Sequence, residues 1–264
     1  MITAAVVLAA VAFAVSILTF FAGFGLGTLL MPAFALFFPV EVAVASTAIV
    51  HGANNVFKVL LLFRQARRSV IVAFGLPAVV AAIAGAALLG YLAGEHAIVT
   101  WSPLGREARI TPVKAVLGTL IVVFGLFELV PRLRGLRAPA HWLPLGGLLA
   151  GFFGGLSGHQ GALRAAFLTR VGMAPAEFVA TQSVLGLMVD ASRLVVYAAT
   201  FFTASAAAGP AGIPWMLVAI ATIAALTGAW IGRSLLPKVT IPRLQLFVGV
   251  LLIAVGVALG LGVI

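Results

Sequence analysis

The sequence predicts an all-α polytopic membrane protein, with about eight transmembrane helices plus two short broken or re-entrant segments in two inverted-topology repeats. Three observations carry that prediction. The chain is 63% hydrophobic and only 8% charged, whereas a soluble domain carries roughly 25% charged residues, so the solvent for this surface is lipid. Apolar runs close to the roughly 20 residues of a membrane crossing recur from end to end. An offset of 135 residues brings similar patterns into register.

In chain order, the spans fall at 3–22, 42–63, 70–93, 113–131, 143–158, 178–201, 213–235 and 244–263. Two further apolar pieces, 24–38 and 159–174, are too short to cross alone. Each follows a Gly-rich break and precedes a turn containing Pro39 or Pro175, which marks a half-helix or a re-entrant segment. The first span lacks a basic leader and a small-residue cleavage site, so it reads as a retained span.

The 135-residue offset aligns Gly23 with Gly158, Val44-Ala45 with Val179-Ala180, Asn55 with Asp190 and Lys58 with Arg193. Allowing gaps, "GLPAVVAAIAGAALLG" resembles "GIPWMLVAIATIAALTG", and Pro112, Gly118 and Gly125 match Pro242, Gly249 and Gly256. The repeats are expected over 1–137 and 138–264, within one integral membrane domain. Loop charge sets their relative orientation. Arg64, Arg67 and Arg68 face the uncharged "FFTASAAAGPAG" in the other half, and Arg132, Arg134 and Arg137 face the uncharged "LGLGVI". Arg233, Lys238 and Arg243 face a mixed loop with Glu95, Arg106, Glu107, Arg109 and Lys114. Under the positive-inside rule this alternation signals inversion. Inversion requires an odd number of crossings per half. Four full spans plus one short piece give five, with both termini non-cytoplasmic.

The polar residues within the apolar runs are the candidate site. A helix that restarts after a Gly-rich break presents unpaired N–H groups and a positive dipole end, which suits an anion. That places Gly25 and Gly27 in the first break and Gly158–Gly161 in the second. After the first break, Thr47, His51, Asn54 or Asn55, and Lys58 share one helix face. Lys58 lies near the basic end of its span, where snorkelling is the alternative. After the second break, Gln182, Gly186, Asp190 or Val189, Arg193 and Tyr197 share a face. Asp190 and Arg193 stand at i, i+3 and can neutralise each other. Thr181, Gln182 and Ser183 supply donors one turn into that helix. "LSGHQGALRAAF" adds His159, Gln160 and Arg164. Cationic and donor groups outnumber the single intramembrane carboxylate, which favours a small anionic substrate over a cation. The titratable groups His51, His159 and Asp190 are the candidates for proton coupling.

Other classes find little support. Cys is absent, which removes disulfides and thiolate metal sites. There is no zinc pair, nucleophile elbow or P-loop, so no metal, cofactor or enzymatic activity is expected. The net charge of +10 is read as the positive-inside bias of short loops between apolar runs and not as a nucleic-acid surface. Gly-rich faces allow a monomer or a homodimer. A passive anion channel is the alternative to a transporter; a lipid-directed enzyme and an insertase are weaker rivals.

The order of these features, a Gly-rich break, then Pro32 and Pro39, then Ala45-Ser46-Thr47, resembles the TauE/SafE (TSUP) family of sulfite exporters and sulfonate transporters over nearly the whole chain. The first half matches better. In the second half "GHQGALRAAFL" replaces the expected Gly-rich run, while "GFFGGLSG" and "FVATQS" retain its character. The resemblance implies a secondary transporter in a bacterial-type cytoplasmic (inner) membrane. Its substrates would be sulfite, sulfoacetate, thiosulfate or a non-sulfur organic anion. His159, Gln160 and Arg164 depart from the family pattern and bear on substrate choice.

Overall fold

The computed structural model describes residues 1–19, 26–94, 96–105, 107–134, 137–202, 212–234 and 241–264. Gly23 and Gly25 of the first break, Glu95, Arg106, Lys238 and most of the uncharged loop (203–211) lie outside the described residues.

Among the described residues the principal helices of the first half are α1 (Ile2–Thr19), α2 (Leu26–Ala35), α3 (Val40–Leu62), α4 (Arg68–Leu92) and α5 (Pro112–Leu129). Those of the second half are α6 (Leu143–Ser157), α7 (Gly161–Leu168), α8 (Pro175–Tyr197), α9 (Trp215–Ser234) and α10 (Ile241–Gly260). The strands β1 (Val99–Trp101) and β2 (Ala108–Ile110) pair antiparallel between α4 and α5. Five stretches, in α3, α4, α5, α8 and α9, are long and apolar enough to cross a membrane, and shorter apolar helices accompany them. The chain is therefore an all-helical polytopic membrane protein, and each expected span and short piece corresponds to one helix.

Local chemistry sets the boundaries. Prolines open α5, α6 and α8 at the first turn, where a missing N–H costs nothing. The Thr111 hydroxyl accepts from the Lys114 N–H at 3.3 Å and caps α5. Gly158 ends α6 with φ of 82°, a left-handed cap that glycine adopts without strain.

With no hydrophobic drive between helices in lipid, close packing at small residues must supply association. Along α6, Gly147, Gly151 and Gly155 recur every four residues. A Cβ on each would overlap the carbonyl of Phe74, Ala78 or Ala82 in turn, so α4 and α6 run parallel in backbone contact. Gly228 and Gly232 of α9 abut the Phe13 and Ile17 carbonyls of α1 in the same parallel sense. The self-matching helices cross antiparallel: Gly118 and Gly125 of α5 meet Gly256 and Gly249 of α10. In the α3–α8 pair, Gly186 meets Asn55 and Gly52 meets Asp190 and Leu194.

The described contacts set α1 and α6, as well as the short pieces, apart from the helices that run from end to end, which differs from the expected five passages per half. Gly154 faces Gln160, Gly146 faces Phe167, and the Ala138 N–H donates to the Ala166 carbonyl at 3.0 Å. The α6–α7 pair is thus a hairpin with both open ends at one end of the molecule. From the other end, α1 packs on α2, and the chain after α2 reaches a cavity shared with Lys114 and the C-terminal Val263 and Ile264. Gly27, at the start of α2, stands against the Gly158 carbonyl at the α6–α7 tip in the interior. The helices that run from one end to the other are then α3–α5 and α8–α10, of which all but α10 carry a stretch long and apolar enough to cross a membrane.

Candidate functional site

The α3–α8 crossing lies beside the α6–α7 tip and holds the buried polar residues. Asp190 is at its centre, fully buried. Its Oδ1 accepts from Arg193 Nη2 at 2.7 Å and Nε at 3.1 Å, and from Gln160 Nε2 at 3.5 Å. Its Oδ2 accepts from Asn55 Nδ2 at 2.9 Å and faces His51 Nδ1 at 2.6 Å. An ionised carboxylate only accepts, so the proton sits on His51 Nδ1. The 3.1 Å approach of Asn55 Nδ2 to the same nitrogen is then a contact between two donors, both aimed at Asp190.

Arg193 is fully buried, and beyond Asp190 its Nη1 donates to the Gly154 carbonyl at 3.3 Å. Tyr197 donates from its hydroxyl to the Gly155 carbonyl. These carbonyls belong to the last turn of α6, where the negative dipole end favours a cation. The expected mutual neutralisation of Asp190 and Arg193 is therefore present, with Arg193 also joining α8 to the α6 tip.

On the side of the crossing toward the C-terminal end of α3, Arg164 of α7 is buried, and its Nη1 donates to Gln160 Oε1 at 3.1 Å. Gly186 leaves the space that Arg164 and Asn55 occupy: a Cβ there would stand 2.7 Å from Arg164 Nη1 and from Asn55 Nδ2. Lys58 is 6% exposed, so it does not snorkel, and it lies within Coulombic reach of Arg164. Gln182, two turns before Asp190, buries an amide with no partner for either polar atom among the described residues. The hydroxyls of Ser46 and Thr47 are likewise buried without partners there. A buried amide without a partner costs about 1–3 kcal/mol, a cost a bound ligand can relieve.

Other expected residues are placed elsewhere. Asn54 turns to α1, where the Ser16 hydroxyl donates to its Oδ1 at 3.4 Å. Ser183 donates back to the Val179 carbonyl at 2.8 Å, and the Thr181 hydroxyl accepts from the Arg67 N–H at 2.9 Å. Of the three donors expected at the start of α8, only Gln182 faces the interior unbonded. His159 sits at the α6–α7 tip with its ring stacked on Phe124, centroids 5.5 Å apart. Its Nδ1 is 3.1 Å from the Ser157 carbonyl; its Nε2 lies near the Thr28 backbone, outside hydrogen-bond geometry. Of the N–H groups expected to form a cradle at Gly158–Gly161, Gly158 N–H donates to the Gly154 carbonyl, Gln160 N–H to the Gly158 carbonyl and His159 N–H to the Ser157 hydroxyl at 3.4 Å, so these three are already engaged. Gly27 is described and contacts the His51 ring, whereas Gly25 lies outside the described residues.

Sequence reasoning missed Ser16 and Phe124. Neither belongs to a polar stripe, and their contacts with Asn54 and His159 arise only between residues distant in sequence. Among the described residues no group of three metal-ligating side chains comes together.

Comparison with known proteins yields one match. The family model described as "Sulfite exporter TauE/SafE" matches residues 8–259. No curated protein matches, and no solved structure matches.

Proposed function

The chain belongs to the TauE/SafE sulfite exporter family, whose members are multi-pass membrane transporters rather than enzymes, and on that premise we propose that it moves a small sulfur-containing anion by alternating access. Sulfite, or a sulfonate such as sulfoacetate, is the substrate in this reading, and the cytoplasmic membrane is its location. The observation that carries it is the buried polar cluster at the α3–α8 crossing beside the α6–α7 tip. There Arg164, Lys58, Asn55 and the unbonded amide of Gln182 supply charge and donors beside the bare face of Gly186. Asp190 and Arg193 neutralise each other and hold the donors in place. His159 and Gln160 at the tip, with Thr47 and His51 on α3, complete the site in this proposal.

Inverted repeats over 1–137 and 138–264 remain our proposal for the architecture. It is supported by the exchange of partners between halves: α4 packs on α6 as α9 packs on α1, while α3 crosses α8 and α5 crosses α10. We place the end bearing Arg64, Arg67, Arg68, Arg132, Arg170 and Arg233 in the cytoplasm, by the positive-inside rule.

Coupling follows from His51. Its Nδ1 proton is held by Asp190, so an anion arriving nearby favours a second proton on the ring and carries it along. Flux of labelled sulfite and sulfoacetate in proteoliposomes tests both levels. Transport driven by a pH gradient is expected, and His51→Asn is expected to keep exchange while losing the response to the gradient. Currents far above transporter turnover in a bilayer recording would instead indicate a passive channel.

A further inference from the structure

Arg67 lies in the turn between α3 and α4, outside the buried cluster, and makes an unusual number of contacts for a loop residue. Its Nε donates to Glu177 Oε1 at 2.6 Å and its Nη2 to Glu177 Oε2 at 3.0 Å, a two-pronged pair. Its Nη1 donates to the Val171 carbonyl at 3.0 Å, and Nη2 also reaches the Gly172 carbonyl at 3.5 Å. Its backbone N–H donates to the Thr181 hydroxyl at 2.9 Å. One residue thus ties the α3–α4 turn of the first half to the α7–α8 turn and the first two turns of α8 in the second. Glu177 is fixed from its other side, accepting from the Ala174 N–H at 3.3 Å.

Two facts separate this contact from ordinary surface pairing, which contributes little. Lysine could not replace Arg67, because its single nitrogen with three donors cannot make the two parallel bonds to Glu177 together with the two carbonyl contacts. The 135-residue offset that aligns Lys58 with Arg193 places Phe202 opposite Arg67 and Val42 opposite Glu177, so the repeat does not duplicate this pair at the aligned positions. Glu177 is one of only six carboxylates in the chain.

We infer that Arg67 and Glu177 form a clasp that closes the basic end of the molecule, and that releasing it opens the buried site to that end. The clasp acts through α8: Thr181, which Arg67 holds, adjoins Gln182, whose amide faces the site. Arg67 is a positioning residue, and the clasp stabilises the state closed at the basic end. The inference rests on the alternating-access reading.

The absence of native cysteine makes a thiol test clean. A reporter thiol in Ser183→Cys, buried one residue past Gln182, is labelled from the basic side with a membrane-impermeant maleimide. Glu177→Gln is expected to raise the labelling rate about tenfold, and Arg67→Lys to give no rescue. Separately, Arg67→Cys with Glu177→Cys is bridged by a short bis-thiosulfonate cross-linker, which forms a reducible disulfide at each cysteine and releases sulfinate. Flux of sulfite or sulfoacetate is expected to stop when bridged and to return on reduction, which controls for folding in the same molecules. An unchanged labelling rate in Glu177→Gln, or undiminished flux in the bridged protein, overturns the clasp. The labelling rate needs no substrate. A normal labelling response with no flux of either anion would therefore overturn the substrate reading and leave the clasp standing.

Discussion

Asp190 shows how much one residue organises. It receives Arg193, Asn55, Gln160 and His51, so removing its charge leaves Arg193 buried without a counter-ion. Breaking a buried pair from one side costs about 3–5 kcal/mol. Asp190→Asn is expected to lower the thermal unfolding midpoint in detergent sharply, read by intrinsic fluorescence. Gly186 tests the site without that penalty. A methyl there would push against the ends of two side chains, Arg164 and Asn55, rather than against backbone. Gly186→Ala is expected to fold normally and to weaken anion binding about tenfold, roughly 1.4 kcal/mol, measured as loss of the sulfite-dependent thermal shift. At this scale the polar stripes were legible, because helical spacing alone puts His51, Asn55, Lys58, Asp190 and Arg193 on facing surfaces. What spacing could not decide was which of two adjacent residues turns inward. Asn55 reaches Asp190 while Asn54 reaches Ser16, a choice set by the rotation of α3 between α8 and α1.

Among the elements, the helices themselves were readable from hydropathy and from prolines placed at first turns. The two short pieces were legible as broken or re-entrant segments, but not their direction of travel, since a short apolar piece has the same composition whether it crosses or turns back. Only contacts such as Ala138 with Ala166 reveal the reversal. The glycine seam between α4 and α6 is the most sensitive element contact. A side chain at Gly151 would overlap the Ala78 carbonyl, and neither backbone can yield without separating the helices. Gly151→Val is expected to abolish the monodisperse peak in size-exclusion chromatography. Gly172→Ala provides the contrast. It has open space around its missing Cβ but a φ of 70°, so it is expected to cost only about 1–2 kcal/mol of backbone strain and to keep the peak.

Taken whole, the molecule has two dissimilar ends. One gathers Arg64, Arg67, Arg68, Arg132, Arg170 and Arg233; the other carries the β1–β2 pair, whose Trp101 donates to the Leu261 carbonyl at 2.9 Å. Because α1 runs parallel to α9 and Gly262 packs on Arg109, both termini lie at the less basic end. Single cysteines placed at Thr3 and Val263 are therefore expected to react with an impermeant maleimide from the outside of intact cells, whereas one at Arg68 is expected to react only after lysis. The loop charges lead to the same expectation with either crossing count, because three and five are both odd.

The seams of α4 on α6 and α1 on α9 also restrict how such a molecule can move. Each joins a helix of the first half to one of the second through backbone-to-backbone contact. Neither half is mechanically independent, so the two cannot rock past one another like the shells of a clam. The pieces able to shift as solid units are hybrids, each drawn from both ends of the chain. Any hinge must lie within a half, in the turns that link a seam helix to its neighbours in sequence.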